Sequence, residues 1–291
     1  MAAETMRPFN YLAPTRLDEA LSLLTPQAVP LAGGTDLFLR MERRQTQPDT
    51  VVDLKRIPGM DGVEAVDGGI RIGALALMET LAASPLISDA YDALAQSARV
   101  VGSIQTRNRA TVGGNLANAS PAADTATPLM ALGAAVEAAD AGGTREIPVH
   151  ELFLGPGRTV LRGGEIVTAV RVPALPARAG SAFQRCVRTA MDIAVVNCAA
   201  FLRLDADGVI AEARIALGAV GPTPMRSPAA ENRLKGRRFD AAAAVEAAAC
   251  AVEDASAIDD VRASADYRRE MVRVLTRRAV EDAFRRAQGE A

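Results

Sequence analysis

Residues 102–124 read GSIQTRNRATVGGNLANASPAAD, and the reading of the chain turns on this stretch. It is polar, glycine-rich and longer than an ordinary connector. Stretches of that kind inside a compact domain generally serve function. At its centre is Gly113-Gly114, with Thr111 and Val112 before it and Asn115 after it. Paired glycines let a backbone approach a ligand closely. Successive N–H groups in such a turn form a nest for anions, and Thr or Asn beside them adds donors. Further on, Ser120-Pro121 has the form of a helix start, and Asp124 suits a helix's first turn. Arg107 and Arg109, taken singly, read as a solvated face.

Upstream lies a second glycine pair, in Leu31-Ala32-Gly33-Gly34-Thr35-Asp36. It follows the short apolar run 28–31 and precedes a helix expected from Thr35-Asp36, both capping residue types. Alone, either pair is more often a plain turn than a ligand site. Together, two such loops can hold both halves of a pyrophosphate.

The remaining pattern is mixed α and β. Residues 17–24 space their leucines as a helix does, and 50–54 (TVVDL) form a compact strand. Segments 62–66 and 69–73 flank Asp67-Gly68, a hairpin turn. Helices are expected over 75–83, 89–98 and 121–132, and strands within 134–149 and 165–172. A break at 173–180 (PALPARAG) separates a second region. There 181–187, 193–204 and 209–217 read as three strands, followed by helices over 241–256 and 265–287.

The chain has 291 residues, 49% of them hydrophobic, which is ample for a core. Aromatic residues make up only 3% and the formal net charge is -2. That balance speaks against a nucleic-acid footprint, which needs a basic patch and stacking rings. Cys186, Cys198 and Cys250 form no C-x-x-C pair and read as small buried hydrophobes in a reducing compartment. No membrane-spanning run and no secretion signal are legible, so a cytoplasmic location is expected. The single histidine, His150, has no second histidine or nearby cysteine with which to build a triad or zinc site. The motifs G-x-S-x-G, G-x-x-x-x-G-K-[ST] and G-x-G-x-x-G are all missing. Any redox chemistry must therefore come from a bound cofactor.

The two glycine motifs, in this order and spacing, closely resemble the FAD-binding segments of the molybdenum hydroxylase flavoproteins. These are the medium subunits of carbon monoxide, xanthine, aldehyde and nicotinate dehydrogenases, and the resemblance covers essentially the whole chain. It implies an α+β fold: a vanillyl-alcohol-oxidase-type (PCMH-like) FAD-binding domain over residues 1–176, with subdomains of about 1–57 and 58–176. A C-terminal domain over 177–291 would pack a three-stranded antiparallel sheet against helices.

Position by position, the resemblance gives Pro30, Leu31, Ala32, Gly33, Gly34, Thr35, Asp36 and Leu37 to a first pyrophosphate-cradling loop. It gives Thr111, Val112, Gly113, Gly114 and Asn115 to a second loop, whose N–H groups and Thr hydroxyl bind phosphate. Asp124 is placed against the cofactor, Val101 and Val167 as apolar contacts, and Ser120 as loop support. Gln184 stands where some relatives carry Lys, with Arg185 adjacent as another source of positive charge. Asp192 falls in a loop near the flavin ring, and its other reading is a turn acid. No catalytic residue and no metal ligand is expected on this chain.

The implied role is electron transfer within an oxidoreductase. Substrate is oxidised at a molybdenum cofactor on a large partner subunit. Electrons pass through [2Fe-2S] clusters on a small partner subunit to FAD here, then leave to a terminal acceptor. The complex is expected to be a heterotrimer, often doubled. Two other readings stand beside this one: a stand-alone flavin oxidoreductase of the same fold, and a scaffold subunit without FAD. A third, an enzyme using the first loop for a different phosphate ligand, leaves the second motif unexplained.

Overall fold

A computed structural model describes residues 6–290. The outermost residues of the expected domains, 1–5 and 291, and the N-terminal part of the signal-sequence reading lie outside them. Chain order begins with β1 (Asn10–Leu12), α1 (Leu17–Leu23), β2 (Ala28–Leu31), α2 (Leu37–Glu42) and β3 (Thr50–Asp53). The three strands form one parallel sheet in the order β1-β3-β2. Parallel strands need crossovers, and α1 and α2 are what the chain inserts between them.

The next region contains β4 (Val63–Val66), β5 (Gly69–Gly73), α3 (Met78–Ala83), α4 (Pro85–Ser88), α5 (Asp92–Arg99), α6 (Ile104–Arg107), α7 (Val112–Ala117) and α8 (Ala126–Ala131). Strands β6 (Ala135–Asp140), β7 (Gly143–Pro148), β8 (Phe153–Gly155), β9 (Arg158–Thr159) and β10 (Ile166–Pro173) follow. Five of these strands make an antiparallel sheet in the order β4-β5-β10-β6-β7. Its central strand β10 is buried along most of its length, and its side chains join the main core with Leu81, Leu94, Leu129 and Leu132.

The last region holds β11 (Ala179–Cys186), β12 (Val196–Leu204), β13 (Ile210–Gly218), β14 (Met225–Arg226), α9 (Pro228–Leu234), α10 (Ala241–Asp254) and α11 (Ala265–Ala287). The three long antiparallel strands are those expected. The sheet has a fourth, because Met225–Arg226 pairs with Ala216 and Leu217 of β13. Two residues bounded by prolines carry no periodicity, which hid this strand from the sequence. Along α10 and α11, Ala247, Ala251, Ala279 and Ala283 are fully buried against the sheet's core. Small side chains there let helices and sheet approach closely, in keeping with the low aromatic content.

The stretch 102–124 is less a loop than expected. It carries α6, capped by Ser103 Oγ accepting from the Thr106 N–H, and α7. In turn, the helix expected over 121–132 begins only at Ala126. Ser120 Oγ accepts from the Ala122 N–H, a local turn, and Thr125 spends its hydroxyl on Asn115 Oδ1 at 2.7 Å. Side chains committed to local or cross-chain partners cannot cap a helix.

Edge strand β11 is covered by α5 of the preceding region. Gln96 Oε1 accepts from the Phe183 N–H at 2.9 Å, and Ser181 Oγ accepts from the Ala93 N–H at 3.3 Å. On its other face β11 meets α11 at Gly180, where an added Cβ would lie 2.3 Å from the Ala283 carbonyl oxygen. Gly180→Ala should therefore lower stability by about 1–3 kcal/mol, read as a lower urea midpoint at unchanged slope. Gly62→Ala, with nothing within 4 Å, should leave the midpoint nearly in place. Equal midpoints in the two variants would contradict the close approach.

Candidate functional site

The two glycine loops face each other across a cleft of about 340 Å³. The first loop leaves the end of β2 and enters α2. Gly33 is required there by contact: an added Cβ would sit 1.9 Å from the Arg109 carbonyl oxygen. Gly34 is required by conformation, with φ of +80°, a left-handed region that side chains disfavour. Among the described residues, the N–H groups of residues 33–37 have no protein partner. They form an open run of donors at the cleft wall, the arrangement that holds phosphate oxygens.

The second loop is built differently. Gly113 lies against Ala74, whose Cβ would be 2.6 Å from an added side chain. The Val112 and Gly113 N–H groups donate to the Ala76 and Ala74 carbonyls at 3.1 and 2.8 Å. Those of Gly114 and Asn115 donate to Thr111 Oγ1 and Thr111 O at 3.1 and 2.9 Å. In this structure the loop is the capped first turn of α7, and these four N–H groups donate within the protein. Its donors toward the cleft are side chains, the Asn115 amide nitrogen and the Thr111 hydroxyl hydrogen.

Pro30, Ala32, Gly33, Gly34, Thr35, Asp36, Leu37, Thr111, Gly113, Gly114, Asn115 and Val167 line the cleft. Leu31 and Val112 are buried behind it. Val101, Ser120, Asp124, Gln184 and Asp192 are not on its walls. The cleft also includes residues that the sequence did not single out, Arg40 and Glu165 among them. Burial raises the Asp36 carboxyl above its usual range, with Arg40 opposing. Glu165 is held below its range, first by hydrogen bonds from Arg145 at 2.6 and 2.8 Å. The alternation of 166–172 as a strand says nothing of what the preceding residue faces.

Behind the first loop, Lys55 Nζ donates to the Ala32 carbonyl at 3.2 Å and pairs with Asp53 at 2.7 Å. Tyr11 also donates to Asp53. Burial opposes ionisation of Asp53, but the hydrogen bonds from Lys55 and Tyr11 hold its carboxyl below the usual value. This cluster braces the loop from the side away from the cleft.

Asp124 and Asp192 meet around Arg185, where the FAD-loop region meets the C-terminal sheet. Arg185 Nε lies 3.3 Å from Asp124 Oδ1, and Asn197 Nδ2 donates to the same oxygen at 3.3 Å. Arg185 also reaches the Asp192 carbonyl and that of Val100, next to Val101. Gln184 turns the other way and donates to Asp282 on α11 at 2.7 Å. The Asp192 carboxylate accepts from Arg188 at 2.8 Å, a contact that lowers its pKa. His150 lies beside Glu151 at 3.5 Å, away from both groups. No cluster of three metal-ligating side chains occurs among the described residues.

Residues 7–175 match the FAD binding domain in molybdopterin dehydrogenase, and residues 181–283 match the CO dehydrogenase flavoprotein C-terminal domain. The chain belongs to the FAD-binding medium subunits of the molybdenum hydroxylase family. It is 32% identical to the carbon monoxide dehydrogenase medium chain of Hydrogenophaga pseudoflava, covering 96% of this chain and 98% of that one. It is also 32% identical to a putative xanthine dehydrogenase FAD-binding subunit of Escherichia coli (strain K12), covering 96% and 97%. Among solved structures, a Hydrogenophaga pseudoflava carbon monoxide dehydrogenase lacking the Mo-pyranopterin moiety superposes with a TM-score of 0.93 at 33% identity, over 97% of this chain and 99% of that one. An oxidoreductase subunit with an FAD-binding domain is thus what the fold and the relatives give. Among the described residues no helix is long and apolar enough to cross a membrane.

Burial pushes the Asp124 carboxyl up to about 6, with Arg185 and the Asn197 amide pulling the other way. The folded chain thus retains a proton that the unfolded chain releases between the ordinary carboxyl value of 3.8 and about 6. Asp124's contribution to stability is largest below that window, falls as pH rises through it and is flat above. The loss is at most about 3 kcal/mol for a shift of this size. Urea midpoints at pH 4.5 and 7 should show wild type losing more stability with rising pH than Asp124→Asn. Parallel pH profiles would assign the slope to another group.

Proposed function

We propose that the chain binds FAD with its pyrophosphate along residues 33–37 and serves as the electron-transfer subunit of a molybdenum hydroxylase complex. It takes electrons from [2Fe-2S] clusters on a small partner subunit and delivers them to a terminal acceptor. A large partner subunit carries the molybdenum cofactor and the substrate site. The assembly is a heterotrimer, with a dimer of heterotrimers as its doubled form, and it works in the cytoplasm. The two domains divide near residue 176.

The observation that carries this reading is the run of unpartnered N–H groups over 33–37, opposite the Asn115 amide, in a cleft shaped by contacts only glycine allows. That donor set fits a pyrophosphate, since successive unpartnered N–H groups form a nest for anions. Bound FAD supplies the electron-carrying chemistry. The chain's own residues bind and orient it. Gly33 and Gly34 admit the phosphates to the backbone, Asn115 and Thr111 donate from the opposite wall, and Val167 gives an apolar surface. Asp124, Val101, Ser120, Gln184 and Asp192 belong to the part of the site toward the C-terminal domain. No proton transfer need occur on this chain, which suits a cleft without histidine or cysteine.

Thr35→Glu places a carboxylate beside the phosphate position without disturbing Gly33 or Gly34. FAD titration followed by flavin fluorescence should show binding weakened by about tenfold or more, since like charges set together cost upward of 1 kcal/mol. Circular dichroism checks that the variant is folded. Equal affinity in a folded variant would contradict the proposed phosphate position. A folded wild-type chain that takes up no FAD, alone or co-expressed with its partner subunits, would overturn the reading as a whole.

A further inference from the structure

Where the two domains meet, Arg185 and Asp124 are nearly out of solvent, with 8% and 9% of their side chains exposed. The Arg185 guanidinium reaches three separate segments. Nη1 donates to the Val100 carbonyl just after α5, at 2.6 Å. Nη2 donates to the Asp192 carbonyl in the loop 187–194, between β11 and β12. Nε lies 3.3 Å from Asp124 but is not aimed at it, and has no hydrogen-bond acceptor. A buried cation with an unspent donor is expensive. An apolar residue would close the seam at lower cost, so packing alone does not account for an arginine here.

The seam connects to the cleft through side chains. Thr125, next to Asp124, donates to Asn115 Oδ1 at 2.7 Å, and Asn115 lines the cleft. Asn197 on β12 donates to Asp124 and accepts from Thr127 on α8 at 2.9 Å. Backbone adds a further tie, as the Ala219 N–H after β13 donates to the Pro121 carbonyl at 2.7 Å. On the solvent side, residues 188–191 of the loop are exposed. Besides Arg185, its internal ties are the Arg188–Asp192 pair and the Asp192 N–H to the Thr189 carbonyl at 3.0 Å.

We propose that Arg185 is a positioning residue for the cofactor site: it keeps Asp124 ionised inside the seam and fixes the loop 187–194 against α5. Through it the C-terminal domain presets the wall of the cleft that Asn115 completes. Its role toward the cofactor rests on the reading that the cleft takes FAD. The two parts of the role use different features of the side chain. Ionisation of Asp124 needs only a nearby positive charge. Joining Val100 to Asp192 needs the two-ended fork of a guanidinium, which an ammonium lacks. The groups around the pair come from four places: Arg185 from β11 is the charge facing Asp124, Asn197 comes from β12, Asp192 and Arg188 come from the loop, and Arg262 and Asp260, before α11, act on that loop pair.

Arg185→Gln and Arg185→Lys separate these features in the full chain. The Asp124 carboxyl is followed by carbon NMR, its signal assigned with Asp124→Asn. Fixation of the loop is followed by the rate of tryptic cleavage after Arg188, and FAD affinity by fluorescence titration. In Arg185→Gln the Asp124 titration should move up by about one pH unit or more once the neighbouring cation is gone. Cleavage after Arg188 should quicken and FAD should bind more weakly. Arg185→Lys should return the titration toward wild type while cleavage stays fast. Unchanged titration and cleavage in a folded Arg185→Gln chain would overturn the proposal. So would FAD affinity equal to wild type despite a shifted titration and a freed loop. The first two readouts need no FAD, so a wild-type chain that binds none would sink the FAD reading on separate grounds.

Discussion

The rest of the structure depends on a contact between two backbones. Gly33, after the last residues of the first parallel sheet, lies against the Arg109 carbonyl, which belongs to the region of the five-stranded antiparallel sheet. Any side chain at 33 would push these regions apart by more than an ångström, and the cleft would lose its second wall. A similar approach at Gly113, against Ala74, seats α7 on the end of β5. Both glycines act by what they leave out. Their removal of side-chain bulk is what lets two subdomains with separate sheets share one binding surface.

That arrangement divides labour between two motifs that look alike. The second loop is spent on structure: its N–H groups are consumed by Ala74, Ala76 and Thr111, and it contributes side chains to the cleft. The first loop is left open, with its backbone donors unmatched and with Lys55 and Asp53 bracing it from behind. A rigid wall facing a donor-rich one is a sound way to hold a diphosphate, because the ordering cost has been met in folding rather than on binding. On the proposal made above, the seam around Arg185 extends the same logic to the boundary with the C-terminal sheet, where buried charge sets position instead of packing.

Much of this was legible in the sequence, and the limits have physical reasons. Helix α11 was readable to its ends, because Val272, Leu275, Ala279, Val280 and Ala283 recur at helical spacing and all face the core. The hairpin at Asp67-Gly68 and the long strands of the C-terminal sheet were readable from turn chemistry and alternation. Strand β14 was not, being two residues held by a long-range partner. Ser120-Pro121 misled because its capping form is local, while the direction of 120–125 is set by Asn115, Arg185 and Asn197, distant in sequence. The two glycine pairs could be found by inspection, but not their difference. Whether an N–H group is free depends on what packs beside it, and residues 74–76 carry no motif that announces their contact with α7. Gln184 and Arg185 show the same limit: neighbours on one strand point to opposite sides, one to α11 and the other into the seam.

Amide hydrogen exchange at single-residue resolution, with and without FAD, tests the central claim most directly. The account predicts that amides 112–115 are protected in the free chain and change little, while amides 33–37 exchange freely until FAD slows them. Protection gained at 112–115 instead, with 33–37 unaffected, would contradict the assignment of the open donors to the first loop.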